Sequence, residues 1–323
     1  MFERYWPRRF CREFVEARGH SCDLTSLMAV VSGHKPCVDV WVRPVDMRRF
    51  LKAVRLYGLV AKQGIIFSMA SRNVVADDVA GKDRLTTTIA YGSHPRQRRS
   101  GMHHMFIARS QKVLNKAFAG GWYPVIVGKR VIDRPLADAF RFGEALGYPF
   151  CCCEFFRMKN NWSRYNFLYE VFKNTSQAKA CYLCNPLGRN ETYTYIAHMP
   201  CSFNCAATRK NAASFRDFLM KEEPSFVKNI DDHLRLPHLI FYERKIYAFE
   251  GRMVPEGIAY KSVYFLGLNN DFNPYLERLS LANELRLEGK NVVLLKDGKK
   301  RDVIEHDPFK ASQEIPFLLQ CDN

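Results

Sequence analysis

Seven of the chain's eleven cysteines fall between residues 151 and 205, and their types and spacing could do chemistry. They form three groups: "CCC" at Cys151, Cys152 and Cys153, "CYLC" at Cys181 and Cys184, and "CSFNC" at Cys201 and Cys205. His198 stands three residues before the last group. Thiolates select zinc or iron–sulfur clusters over hard cations, so the first chemistry to consider is a cysteine-ligated centre of one of those two kinds. A Cys-x2-Cys turn brings two sulfurs to a common side, and two such turns complete a tetrahedral shell. Cys181, Cys184, Cys201 and Cys205 are one candidate quartet of this kind, although its second pair is spaced Cys-x3-Cys.

A second ligand set follows from helix starts. Pro149 suits the beginning of a helix through "CCCEFFRMKNNW", and Cys205 precedes a long helical pattern over 206–222. Sulfurs at helix N-termini face unpaired backbone N–H groups and the positive end of the helix dipole, which favours their thiolates. The candidate ligands are then Cys151, Cys152, Cys201 and Cys205, with His198 as a further one. Successive helical residues diverge by about 100°. Three adjacent cysteines therefore cannot all aim at one point, and one or two of them must pack elsewhere. The same thiols without metal would suit a nucleophile or redox pair, with His198 or Glu154 as the base. Cys11, Cys22, Cys37 and Cys321 are isolated and read as buried structural thiols.

The segments "LGYPFCC" and "HMPCSFNC" together resemble an uncharacterised prokaryotic domain family, frequent in archaea. Its members pair a Leu-Gly-Tyr-Pro-x-Cys-Cys segment with a Pro-Cys-Ser-x-x-Cys segment. The resemblance covers roughly residues 136–215 and places Tyr148, Pro149, Cys151, Cys152, Pro200, Cys201, Ser202 and Cys205 at the motif positions. Cys153 is an addition to that pattern, and Cys181 and Cys184 lie outside it. The resemblance implies a site and carries no activity with it.

These groups need elements to hold them. Helical spacing runs through the first 36 residues, through 46–60 and through "ARSQKVLNKAF"; "CVDVWVRP", "LTTTIAYGS" and "YPVIVGKRV" read as strands. "LADAFRFGEALG" is a helix capped by Gly147, followed by an aromatic helical zone to Phe172. After the helix 206–222, "LIFYERKIYAF", "IAYKSVYFLG" and the hairpin "NVVLLKDGKKRDVIE" are strands, with a helix expected over 274–288. The C-terminal "DPFKASQEIPFLLQCDN" reads as a closing segment. The fold class expected is α+β or mixed α/β: a helical cysteine-rich region between two mixed parts, with a β-rich C-terminal part. The corresponding segments are 1–135, 136–235 and 236–323, unless the chain forms one compact unit.

Net charge is +16, and residues 1–150 hold 25 Lys and Arg against 12 Asp and Glu. The excess there, 25 − 12 = +13, marks a face for a polyanion, and "HPRQRRSGMHH" makes Arg96, Arg98 and Arg99 the candidate nucleic-acid contacts. No phosphate-binding P-loop or dinucleotide fingerprint is present. The start lacks the apolar run of a secretory signal, and no window has about 18 uncharged apolar residues. The expectation is a cytoplasmic protein without membrane spans, in a compartment that disfavours disulfides. The reading is a cytoplasmic metalloprotein with an iron–sulfur or zinc centre, whose activity, on RNA or a small molecule, stays open. The alternatives are a metal-free cysteine-dependent enzyme and a structural-zinc RNA-binding adaptor.

Overall fold

A computed structural model describes residues 24–67, 102–120, 125–127, 130–132, 139–159, 167–175, 180–188, 194–242, 245–266, 274–305 and 316–322. They form a mixed α+β fold. The chain divides into two compact units, one of residues 1–163 with 213–226, the other of 164–212 with 227–323.

In the first unit, helix α1 (Leu24–Val31) leads into strand β1 (Cys37–Val42), helix α2 (Met47–Leu56) and strand β2 (Val60–Phe67). Strand β3 (Met102–Ala108) lies between β1 and β2, antiparallel to both. Alternation along β1 and β3 gives this sheet two buried faces. One carries Cys37, Phe106 and Ala108, packed with Leu114 and Ala117 of helix α3 (Gln111–Gly120). The other carries Val38, Val40, Val42, Met105 and Ile107, all buried. The basic stretch 94–106 suggested no element, yet its end supplies this central strand. His103 and His104 interrupt the apolar pattern by which a strand is recognised.

A short hairpin of β4 (Val125–Val127) and β5 (Arg130–Ile132) follows, then helices α4 (Ala139–Ala145) and α5 (Phe150–Lys159). The strand expected over "LTTTIAYGS", the first 23 residues and Arg96, Arg98 and Arg99 lie outside the described residues.

The second unit contains helix α6 (Phe167–Lys173) and the cysteine loops; helix α7 (Ala206–Glu222) and helix α8 (Pro224–Leu234) follow, their residues 213–226 belonging to the first unit. The second unit's sheet has seven antiparallel strands: β6 (His238–Tyr242), β7 (Lys245–Val254), β8 (Gly257–Phe265), β9 (Glu284–Glu288), β10 (Asn291–Lys296), β11 (Lys299–Glu305) and β12 (Phe317–Leu319). Their order is β11-β10-β9-β8-β7-β6-β12. Tyr247, Phe249, Ile258, Leu285, Val292 and Leu294 build its core with Leu279 of helix α9 (Pro274–Ser280). The turn at Asp297 and Gly298 has both residues at positive φ, 52° and 76°, as a tight hairpin requires.

One expectation is corrected here. The helix over 274–288 ends at Ser280, and Glu284–Glu288 is strand β9. Leu285 and Leu287 alternate with Glu284, Arg286 and Glu288, a period of two that pairs with β10. The closing segment contributes β12, which extends the sheet beyond β6.

Candidate metal centre

The approach to the triple cysteine is a helix stop followed at once by a helix start. Gly147, at φ +80°, ends α4 in the left-handed conformation. The Tyr148 N–H donates to the Gly143 carbonyl at 2.9 Å and the Gly147 N–H to that of Glu144 at 2.9 Å, the paired bonds of a Schellman cap. A Cβ on Gly147 would stand 2.4 Å from Pro36 Cδ, so glycine is demanded both by φ and by space. Pro149 then takes the position before the first residue of α5, and its carbonyl accepts from the N–H groups of Cys152 and Cys153, each at 3.0 Å. Cys151 and Cys152 thus sit in the first turn, the former exposed and the latter 3% exposed.

Cys153 turns away. Its sulfur is 3.8 Å from the Tyr148 carbonyl, and the space beside Gly143 is occupied by this sulfur, 2.6 Å from where a Cβ would be. Burial, with Glu144 nearby, pushes its thiol up to about 11.

Cys205 is the N-cap of α7. Its carbonyl accepts from Arg209 N–H at 2.9 Å and its sulfur from Thr208 N–H at 3.5 Å, so the sulfur does what a serine or aspartate oxygen does at most helix starts. Cys201 precedes it in a tight loop in which Cys205 N–H donates to the Ser202 carbonyl and Asn204 N–H to Ser202 Oγ. The loop is tied to the end of α6: Asn174 Nδ2 donates to the Cys201 carbonyl at 2.8 Å and Phe203 N–H to Thr175 Oγ1 at 3.1 Å. Phe203 is fully buried and anchors the loop from inside.

The sulfurs of Cys151, Cys152, Cys201 and Cys205 all lie within 4.8 Å of one another. Four cysteines at that separation could hold a metal ion, and no disulfide joins any described cysteine. His198 is not a member of the group; its Nε2 is 3.0 Å from Thr208 Oγ1, which ties it to the first turn of α7.

Cys181 and Cys184 are not members either. They form a separate buried pair on a 3-10 turn (Tyr182–Cys184), where Cys184 N–H donates to the Cys181 carbonyl at 2.9 Å. The two thiols act on each other: the contact with Cys184 pulls Cys181 below the usual thiol range, and the contact with Cys181, together with burial, pushes Cys184 up. The pair braces the loop that carries Cys201 and Cys205: Cys184 Sγ donates to the Cys205 carbonyl at 3.5 Å and Cys181 N–H to the Phe203 carbonyl at 2.9 Å. Cys37 and Cys321 are buried, as isolated thiols should be, and burial pushes the former up to about 12 and the latter higher still.

A polar cluster on the first sheet gave no signal in the sequence. His104 Nε2 is 3.0 Å from Asp39 Oδ2, and the His104 ring stacks on Trp41 with centroids 4.3 Å apart. Lys35 lies close to both Asp39 and the Tyr148 ring, its Nζ 4.5 Å from that ring's centroid. Burial alone would raise Asp39; the His104 hydrogen bond and the Lys35 charge outweigh it and hold the carboxyl below its usual range. Desolvation pulls Lys35 down to about 8 in spite of Asp39. His104 is 65 residues from Asp39 in sequence, and the pairing of β1 with β3 brings the two together.

Comparison with family models, curated proteins and solved structures finds no match. No helix among the described residues is long and apolar enough to cross a membrane.

Proposed function

We propose that the chain is a metalloprotein in which Cys151, Cys152, Cys201 and Cys205 bind one thiophilic ion, zinc by preference, as a structural centre. The sulfur spacing carries the reading. A tetrahedral zinc–thiolate site with bonds of about 2.3 Å has sulfurs about 3.8 Å apart. The four sulfurs, within 4.8 Å of each other, need to draw in by only about an ångström to reach it. A cubane iron–sulfur cluster attaches each thiolate to a different iron, pointing outward, so its sulfurs must stand further apart than those around one ion. The geometry therefore favours a mononuclear centre.

Electrostatics agree. Four thiolates around a divalent cation leave a net charge of −2, and the N-termini of α5 and α7 present their positive ends to it. A full set of four protein sulfurs leaves no coordination position for water or substrate, which is the pattern of structural sites and not of hydrolytic ones. The resemblance to the archaeal family rests on the two segments that supply these ligands, and we extend the same centre to it.

Metal analysis of protein purified without oxygen tests the proposal, together with its visible spectrum. The expected result is one zinc per chain and no colour. A brown protein with iron and labile sulfide would replace zinc by a cluster, and a folded protein free of metal in metal-supplemented medium would overturn the centre altogether.

A further inference from the structure

Helix α2 presents a row of exposed cations. Its sequence MRRFLKAVRL buries Phe50, Ala53 and Val54 and exposes Arg48, Arg49, Lys52 and Arg55. At 100° per residue Arg48, Lys52 and Arg55 fall within about 60° of one another, with Arg49 beside them. The helix contains no acidic residue. The nearest in sequence, Asp46, is buried and paired with Arg43. No hydrogen bond or ion pair among the described residues engages any of the four. Like charges three and four residues apart on one helix face repel one another, and a polyanion laid along that face would relieve the repulsion.

We propose that this face of α2 docks on the phosphate backbone of a double-stranded nucleic acid. The spacing supports it: Arg48 to Arg55 spans about 10.5 Å at 1.5 Å per residue. That is about three phosphates at 3.4 Å of axis per strand. A duplex suits the row better than a single strand, because recognition of unpaired bases uses exposed aromatic platforms and the aromatic residue of this helix, Phe50, is fully buried. Residues 1–150 carry the +13 excess that would strengthen the approach, and phosphate contacts of this kind carry no sequence information.

The test is binding of a short fluorescent RNA duplex by the full chain across a salt series, repeated with the triple variant R48Q/K52Q/R55Q and the charge-retaining R48K/R55K. Three neutralised phosphates contribute about −2.7 to the slope of log affinity against log salt, so this row alone should make binding fall about fortyfold between about 50 and 200 mM. The triple variant should lose that increment, and the lysine variant should keep it. All three side chains are exposed, and an unchanged thermal midpoint will show that the variant is folded. Absence of wild-type binding at low salt, or an unchanged slope in the folded triple variant, overturns the proposal. So does loss of binding to phosphatidylserine vesicles without any duplex binding, which would assign the face to an anionic membrane surface.

Discussion

If four thiols surround one ion, the number of protons released on binding counts them. A cysteine in an ordinary environment has a pKa near 8.5, so about 97% of such thiols are protonated at pH 7. Each must lose its proton to become a ligand. The logarithm of zinc affinity should then climb with pH at a slope close to four below pH 7, a ten-thousandfold gain per unit. The slope falls off as the pH nears the thiol range. The helix starts modify this: a thiol lowered by surrounding N–H groups subtracts up to one from the slope. Replacing Cys152 or Cys201 with Ser removes one proton from the count and should lower the slope by one where those thiols are protonated. Cys153→Ser and Cys181→Ser should leave it unchanged, because neither sulfur is in the group of four. Competition against a chromophoric zinc chelator between about pH 5.5 and 7.5 measures the slope directly. A wild-type slope of two or less would refute a four-thiol site. An equal drop for Cys181→Ser and Cys152→Ser would refute the choice of ligands.

Two further outcomes test the scaffold. Gly147→Ala puts a side chain into left-handed backbone and against Pro36; at about 1–2 kcal/mol for the conformation and 1–3 for overpacking, chemical denaturation should show a loss of about 2–5 kcal/mol. A loss below about 0.5 kcal/mol would show that the helix stop ahead of the cysteines is not tightly packed. Lys35 is protonated more readily in the unfolded chain, near 10.4, than in the folded one, near 8, so the folded state is favoured increasingly as pH rises between these values. Lys35→Met should be more stable than wild type near pH 7 and should lack that rise, as followed by thermal unfolding across the window. A parallel pH dependence in the two proteins would show that Lys35 is solvated.

The fold was legible where one period dominated. The helix 206–222 carries an uninterrupted pattern, and Gly147 and Asp297-Gly298 mark a helix stop and a hairpin by their positive φ, whereas "LIFYERKIYAF" reads as one strand and forms two, β6 and β7. Where two periods overlapped, the sequence misled. Leu276, Leu279 and Ala282 run on at helical spacing into Leu285, and only the pairing of β9 with β10 separates helix from strand at Ser280. Strand β3 was hidden for another reason. Its two histidines look like part of a basic loop until register sets His104 opposite Trp41 and within reach of Asp39, 65 residues away, a relation that no local pattern contains.

The candidate site was legible because backbone geometry constrains it before tertiary structure does. Three adjacent helical residues point about 100° apart, so a run of three cysteines must divide. The division falls after Cys152 because Cys153 is claimed by the gap at Gly143, a glycine in the preceding helix that admits the sulfur. Local rules could not decide between Cys201–Cys205 joined to Cys181–Cys184 and the same pair joined to Cys151–Cys152, since each combination satisfies thiolate chemistry. What separates them is direction. The turn at 181–184 directs the Cys184 sulfur onto the Cys205 carbonyl, whereas Cys151, Cys152, Cys201 and Cys205 bring their four sulfurs together. A CxxC pair that hydrogen-bonds the backbone of a ligand residue orients that ligand without touching the ion, in the manner of the supporting contacts around other metal sites. Cys184→Ser should therefore retain four thiols in the proton count while weakening zinc, and an unchanged affinity would reduce the pair to packing.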